Sequence, residues 1–206
     1  MDVDPNLFVG RGVYILLYVD NMLIISNRIN VEQAKASIGL KWKYEDLRPT
    51  KMFVGFQIER NRPAKSLFIH YVLYATKLVE CFRIEKSNPT VLPIPVGTVL
   101  KLRKEYTHTT DDTTDELRTL TDAETRIYQQ IVGSLIYLSN RTRLDLSYPV
   151  GQLARHMADP FILYLRLTKQ VLRYLNRTKG LGIRYGLLGN PQDPKTPDYT
   201  LYLDAT

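Results

Sequence analysis

The residue types most able to do chemistry lie inside an apolar stretch. Asp20 and Asn21 interrupt the run from Tyr14 to Ser26, and both tolerate positive φ, which is typical of a hairpin turn. A carboxylate held out on such a turn can bind a divalent cation, and phosphoryl transfer uses carboxylates to hold two metal ions. The same pair is also typical of a turn with no chemical role, and the two residues alone leave both interpretations open.

A second candidate group consists of basic residues at helical spacing. They fall at i, i+3, i+7 and i+11, so on a helix they lie within about 80° of one another. Apolar residues occupy the opposite side. The pattern predicts contact with a phosphate backbone, and an ordinary solvated helix face is the alternative. The basic residues are Arg166, Lys169, Arg173 and Arg177, and the apolar ones are Leu167, Val171, Leu172 and Leu175.

Five further side chains of reactive or aromatic type are interpreted as structural. His70, His108 and His156 have no partners at the spacing of metal ligands, so they do not indicate a metal site. Cys81 falls on the apolar side of a predicted helix and is expected in the core. Trp42 is expected to pack against a sheet rather than to stack on a nucleic-acid base.

Composition restricts the class of protein. The chain has 206 residues, of which 44% are hydrophobic, enough for a packed core. The formal net charge is +7, and the excess comes from residues 126–184, with ten Lys and Arg against two acids. Such a balance favours a polyanionic partner. The single cysteine excludes an internal disulfide and suits a reducing compartment, while neither a signal peptide nor a membrane span is expected.

The first half of the chain must position Asp20, and its pattern is mixed. Runs that are apolar on both faces predict strands buried in a sheet covered by helices. Asn30 with Gln33 resembles a helix N-cap, which predicts a helix to Leu40. Strands are predicted at 13–19, 22–25, 41–46, 51–60 and 66–69, and a further helix at 70–83.

The second half must position the basic residues. A proline-containing and then Thr- and Asp-rich segment up to residue 120 predicts a polar connector. Thr121 with Glu124 forms a capping box at the start of a helix whose inward residues would be Ile127, Ile131, Leu135 and Leu138. Helices are also predicted at 146–157 and 163–176, and strands at 180–188 and 199–204.

Several segments resemble, in order, the motifs of one enzyme family. Each alone would be a weak signal, but together they span essentially the whole chain. The family is the reverse transcriptases of copia-type LTR retrotransposons. The segments are LLYVDNMLIIS (16–26), KMFVGFQIER (51–60), YATKLVECFRI (74–84), VGSLIYLSNRTRLDLSY (132–148), KQVLRYLNRTKGLGIRY (169–185) and YLDAT (202–206).

The resemblance implies an α+β fold and a domain order. Residues 1–92 would be part of a reverse-transcriptase palm, an antiparallel sheet with helices, containing a primer-gripping hairpin at 53–58. Residues 93–120 would be the polar connector and residues 121–190 a helical thumb or connection region. Residues 199–206 would be the truncated start of a ribonuclease H domain. The family activity is Mg²⁺-dependent, RNA-directed DNA polymerisation within a larger Pol polyprotein.

The resemblance also identifies site residues, with departures. Asp20 matches the family's catalytic, metal-binding aspartate, but Asn21 stands where the family has a second aspartate, and an amide oxygen is a weaker Mg²⁺ ligand. A third palm aspartate would precede this chain. Asp204 matches the first ribonuclease H acid, and Leu144 replaces a proline of the family.

These departures predict a fragment that is inactive in isolation and that does not hold Mg²⁺ well by itself. Its expected partner is an RNA or DNA template–primer, bound weakly and without sequence preference. Other parts of the polyprotein would be required for activity, and the expected location is intracellular, in the cytoplasm or nucleus. The alternative is a non-catalytic nucleic-acid-binding remnant or a pseudogene product.

Overall fold

The structure, a computed structural model, describes residues 4–47, 50–98, 100, 118–186 and 200–203. These residues form antiparallel strands and five α-helices, which confirms the α+β class. The chain divides into two compact units, residues 1–59 (unit 1) and 60–206 (unit 2). The division lies inside the predicted palm segment 1–92, and the palm, connector and ribonuclease H assignments stay predictions.

Unit 1 is built on a three-stranded antiparallel sheet in the order β1-β2-β3, with helix α1 following it. The register pairs Leu7 with Leu16 and Leu16 with Leu23, so apolar side chains meet across all three strands. Sequence patterning found β2 and β3 but missed β1. The elements are β1 (Leu7–Gly10), β2 (Val13–Tyr18), β3 (Asn21–Ile25) and α1 (Arg28–Gly39).

The sheet of unit 1 is open, contrary to the expectation of strands buried under helices. Among its described residues none is fully buried. Val9, Tyr14 and Ile25 are directly paired across the three strands and are 59%, 48% and 55% exposed. The sheet stays exposed because the helix that follows it, α1, has 12 residues, and none of its side chains is fully buried.

Three local predictions in unit 1 are wrong. The N-cap of α1 is Asn27, whose side-chain oxygen accepts a hydrogen bond from the Asn30 amide at 2.9 Å, so Asn30 already lies inside the helix. Residues 42–47 have no regular secondary structure, although a strand was predicted at 41–46. Trp42, expected against the sheet, is 63% exposed.

The predicted strand 51–60 is a hairpin instead. Met52–Phe53 (β4) and Phe56–Asn61 (β5) pair antiparallel, with Phe53 opposite Phe56. Val54 and Gly55 between them have φ of 47° and 84°, the positive values that a type I′ turn requires at both central positions. The hairpin that the resemblance implied at 53–58 is therefore present. β5 runs across the division between the units.

The sheet residues of unit 2 come from distant parts of the chain. Three strands pair antiparallel in the order β6-β7-β8, with His70 opposite Gly182 and Gly186 opposite Thr200. All three lie within the predicted strand segments or extend them by one residue. They are β6 (Ser66–His70), β7 (Gly182–Gly186) and β8 (Thr200–Leu203).

Four helices in the described part of unit 2 supply its core, and their ends follow local sequence signals. The capping box at Thr121 and Glu124 is formed in both directions. Hydrogen bonds from the Arg118 side chain and the Thr121 backbone lower the pKa of Glu124 to about 2. Ile131, Leu135 and Leu138 are fully buried as predicted. The helices are α2 (Val72–Cys81), α3 (Asp122–Ser139), α4 (Ser147–Ala154, after a 3₁₀ turn at Leu144–Leu146) and α5 (Ile162–Arg177).

Some side chains of unit 2 that were predicted to be buried are exposed, because the helix that carries them is rotated slightly from the predicted orientation. Ile127 is exposed and Tyr128 is buried in its place, donating a hydrogen bond to the Leu153 carbonyl at 2.6 Å. The apolar spacing also predicts inward positions for Leu73, Phe82 and Met157, but Leu73 is exposed and the other two are half-buried. Pro149 would remove a donor from a helix interior, but it lies in the first turn of α4, where its missing N–H is not needed. No described helix is long and apolar enough to cross a membrane.

Candidate functional site

The acid of the hairpin lies at the tip of the β2–β3 turn. Tyr18 pairs with Asn21, so the two turn residues are Val19 and Asp20, one position earlier than the sequence indicated. Asp20 is exposed, and Asn21 is the first residue of β3. The structure thus presents the Asp20 carboxylate to solvent on a short, register-locked turn.

Val19 is held in a strained conformation at this tip. Its φ is 55°, a value that a β-branched residue rarely adopts, and its side chain is 84% exposed. Strain of this kind costs about 1 to 3 kcal/mol and is found where surrounding structure imposes it, often at functional sites. Here the pairing of β2 with β3 imposes it. Sequence reasoning missed Val19 because it assigned the positive φ to Asp20 and Asn21.

The surroundings of Asp20 do not fit a Mg²⁺ site by themselves. The Asn21 amide nitrogen donates a hydrogen bond to the Asp20 carboxylate at 3.1 Å, so the amide presents a donor rather than a ligand oxygen. Within the described ranges, no group of three His, Cys, Asp or Glu side chains is close enough to hold a metal ion. Mg²⁺ prefers six oxygen ligands with near-octahedral geometry. One exposed carboxylate therefore offers only part of such a site.

Helix α5 places the basic residues as predicted. Its inward face is fully buried and apolar, which fixes the rotation of the helix. Arg166, Lys169 and Arg177 are exposed on the other face, while Arg173 is half-buried. We call these four residues the basic face. The buried side chains are the apolar Leu165, Leu167, Val171, Leu172 and Leu175, together with Tyr164 and Thr168.

A segment of chain crosses the basic face. Residues 84–92, which we call the strap, are bound at both ends to α5. The Asn176 amide donates to the carbonyl of Glu85 at 3.1 Å, and the Gln170 amide donates to the carbonyl of Leu92 at 3.3 Å. Arg173 lies midway between these anchors, and its buried Nε finds no hydrogen-bond partner in the part of the chain that the structure describes. The strap therefore makes Arg173 less accessible than its neighbours.

The C-terminal end of α5 is held by a buried arginine that sequence reasoning did not single out. Arg143 is 1% exposed and forms a two-bond ion pair with Asp145, at 2.9 and 2.7 Å. Its guanidinium also donates to the carbonyl and the hydroxyl oxygen of Thr178, at 2.9 and 2.7 Å. We call Arg143, Asp145, Tyr174 and Thr178 the clasp. The signal available was the Arg-x-Asp spacing, but its partner Thr178 is 35 residues away.

Each of the four side chains of the clasp forms a hydrogen bond with at least one other side chain of the clasp. The Tyr174 hydroxyl donates to Asp145 at 3.0 Å, and the Arg143 guanidinium lies over the Tyr174 ring at 5.7 Å. Burial and the adjacent Asp145 carboxylate raise the pKa of Tyr174, so its hydroxyl stays protonated and remains a donor. This arrangement joins the loop before α4 to the end of α5. Its geometry is that of a structural link rather than of a catalytic group.

Of the other residues singled out in the sequence, the structure describes His70, His156 and Cys81. His70 and His156 are buried and stack on Phe68 and Tyr164, with ring centroids 4.9 and 4.4 Å apart, which fits a packing role. Cys81 is exposed, so its predicted core position is wrong, because α2 turns its other side inward. His108 and Asp204 lie outside the described residues.

The amino-acid sequence is similar to that of transposon proteins. It is 28% identical to the Retrovirus-related Pol polyprotein from transposon TNT 1-94 of Nicotiana tabacum, over 96% of this chain and 14% of that protein. It is 31% identical to the Retrovirus-related Pol polyprotein from transposon RE1 of Arabidopsis thaliana, over 87% of this chain and 12% of that protein. A transposon Ty5-1 protein of Saccharomyces cerevisiae is 26% identical over 84% of this chain and 52% of its own length.

The chain therefore spans about half or less of each of these three relatives. No protein-family model matches the chain. No solved structure matches it either.

Proposed function

We propose that this chain, a homologue of the Pol polyproteins of copia-type retrotransposons over most of its length, is a segment of the reverse transcriptase that binds nucleic acid and does not polymerise alone. The observation that carries the binding role is α5, which buries one apolar face and exposes Arg166, Lys169 and Arg177 on the other. The order of the palm-like and helical segments supports the assignment to a reverse transcriptase. The expected ligand is a template–primer, held through its phosphates.

The electrostatics of α5 favour binding without sequence preference. Lys and Arg side chains that neutralise phosphates release condensed counterions, so the affinity depends on salt and not on bases. Arg166 and Arg177 are eleven residues apart, which on a helix corresponds to roughly 16 Å, enough to follow several phosphates of one strand. The clasp fixes the C-terminal end of α5 beside Arg177. The basic face is therefore a preformed surface.

Replacing Arg166, Lys169, Arg173 and Arg177 together by Gln is expected to flatten the salt dependence of duplex binding. About three accessible cations give a log–log slope of roughly −2.7 for the native chain, at about −0.9 per contact. The variant should lose most of this slope and keep its helices, because the opposite face of α5 carries the packing. Fluorescence anisotropy of a labelled duplex at several salt concentrations measures the slope.

Two single variants refine the binding test. Arg177→Gln should reduce the slope by the amount of about one phosphate contact, whereas Arg173→Gln should reduce it less, because that side chain is half-buried. Arg126→Gln, an exposed position on α3, is the matched control and should leave the slope unchanged. Equal slopes for the native chain and the quadruple variant would refute a binding role for the basic face.

We expect the purified chain not to extend a DNA primer on an RNA template with Mg²⁺ or Mn²⁺. The described residues offer Asp20 but not the further acids that a two-metal site needs. Asn21→Asp alone should not start polymerisation, since it still leaves the site short of an acid. Primer extension that is lost in Asp20→Ala would contradict this prediction and would show that Asp20 works in a complete site.

The proposal also covers the binding of Mg²⁺, the contribution of other parts of the polyprotein, and the location of the protein. Mg²⁺ would bind only when other parts of the polyprotein add acids beside Asp20. Mixing the chain with those parts distinguishes the two candidates, since a working segment would gain primer extension and a non-catalytic remnant would only bind. The location would be intracellular, in the cytoplasm or nucleus, where template and primer meet. No membrane partner is proposed.

A further inference from the structure

An exposed tryptophan is held in place beside the end of α1. Trp42 is 63% exposed, although its side chain is the largest apolar one in the chain. Its backbone is not loose, because the amides of Lys41 and Trp42 both donate to the Ile38 carbonyl at 3.0 Å. The ring thus projects from an anchored backbone.

The following residues are anchored as well. The Lys35 ammonium binds both carboxylate oxygens of Asp46, at 3.1 and 3.0 Å. The Tyr44 ring lies close to the helix end, since a Cβ added to Gly39 would be 3.3 Å from Tyr44 Cε1. Trp42 is therefore fixed between two attachment points on α1. Because the backbone that carries the ring is already ordered, only side-chain rotation of the exposed ring is lost when a ligand stacks on it.

The charges around Trp42 indicate the kind of ligand. Lys41 and Lys43 flank the ring in sequence, and the Lys41 ammonium lies 5.9 Å from the ring centroid. Glu45 is an acid in the same segment, but Asp46 is neutralised by Lys35. With Asp46 paired to Lys35, the residues next to Trp42 in sequence are two lysines and one acid, Glu45, so the segment keeps a net positive charge. An aromatic face bordered by cations is the arrangement that binds bases and their phosphates in single-stranded nucleic acids.

We propose that Trp42, Lys41 and Lys43 form a binding site for single-stranded nucleic acid, in which a base stacks on the indole and the two lysines neutralise adjacent phosphates. A single strand is required because the base faces of a duplex are already stacked on one another. The site lies in unit 1 and does not depend on the basic face of α5. It binds without strong sequence preference, since every base has a face that can stack.

Trp42 is the single tryptophan of the chain, so its fluorescence reports on this site alone. Titration of the full chain with a thymidine oligonucleotide should quench the emission, with the same midpoint as the anisotropy of a labelled oligonucleotide. An abasic oligonucleotide of equal length and charge should bind more weakly and leave the emission nearly unchanged. The Gln variant of the basic face should still show the quenching, which separates this site from α5.

Variants test each part of the site. Trp42→Leu should weaken binding of the thymidine oligonucleotide about tenfold, whereas Leu47→Ala, at another exposed apolar position of the segment, should not. Lys41→Gln with Lys43→Gln keeps the fluorophore and should reduce the salt slope by about 1.4, at roughly 0.7 per contact on a single strand. This double variant keeps the test valid even where Trp42→Leu lowers stability.

Three results would overturn the proposal. The first is unchanged Trp42 emission at oligonucleotide concentrations that saturate the anisotropy. This result would show that the oligonucleotide binds at another surface of the chain. The second is equal quenching by the abasic oligonucleotide, which would exclude stacking. The third is no binding of the thymidine oligonucleotide at all.

Discussion

Arg143→Met is expected to lower the free energy of unfolding by about 3 to 5 kcal/mol. The substitution leaves the Asp145 carboxylate half-buried without its cation and removes the donors to the Thr178 oxygens. Met matches the length of the arginine stem, so the loss comes from the polar contacts rather than from an empty space. Denaturant unfolding followed by far-UV circular dichroism measures the effect, because four of the five described helices lie in unit 2.

Matched variants separate the clasp from a general loss of charge. Arg141→Met removes an exposed arginine two residues away that lies over the Tyr137 ring, and should change stability by about 1 kcal/mol or less. Arg143→Lys should recover little, because an ammonium group cannot reproduce the fork that binds Asp145 and Thr178 together. Replacing Asp145 by Leu in the Arg143→Met background should recover part of the loss. An Arg143→Met variant as stable as Arg141→Met would refute the role of the clasp.

Gly182→Ala is expected to destabilise the pairing of β6 with β7 by about 2 to 3 kcal/mol. A Cβ at this position would lie 2.5 Å from the Ile69 carbonyl oxygen and 2.7 Å from the His70 Cβ. Both atoms belong to the paired strand and cannot move without shifting the ladder. The Phe68 ring closes the third side, at 3.0 Å, and is itself covered by Arg184.

A glycine two residues earlier provides the control for this prediction. Gly180→Ala would place its Cβ where no heavy atom lies within 4 Å, so it should be close to neutral. Denaturant unfolding gives the difference in stability, and amide hydrogen exchange in β6 and β7 gives its location. Equal stability of the two alanine variants would mean that the strands accommodate the methyl group without cost.

Sequence reasoning succeeded where the physical cause is local. The capping box joins residues three positions apart, so Thr121 and Glu124 mark the start of α3 without any knowledge of the fold. The spacing of apolar residues in α5 likewise determines which side packs, and its basic side follows. The strand segments and helices of unit 2 were predicted for the same reason, whereas the pairing of β6 with β7 was not predicted.

Sequence reasoning failed where a distant part of the chain decides the outcome. The pairing of Tyr18 with Asn21 sets the β2–β3 turn, and turn propensity alone placed it one residue late. Tyr128 replaces Ile127 in the core because α4 accepts its hydroxyl through the Leu153 carbonyl. Trp42 is exposed because α1 is the only helix among the described residues of unit 1 that could cover the sheet. The Leu153 carbonyl is 25 residues from Tyr128, and the position of the turn follows from the register of the whole β2–β3 pair, so neither can be inferred from the propensity of single residues.

Two long-range contacts of unit 2, that of the strap with α5 and that of β6 with β7, determine when this unit can fold during synthesis. Asn176 is 92 residues from its partner Ile84, and Leu67 of β6 pairs with Tyr185 of β7. When partners are this far apart in the chain, closing the loop between them costs entropy before the contacts form. A ribosome adds about 5 to 20 residues per second, so β6 and α2 emerge on the order of ten seconds before their partners exist. During that interval they are exposed to chaperones and proteases, and unit 2 closes only once α5 and β7 have been made.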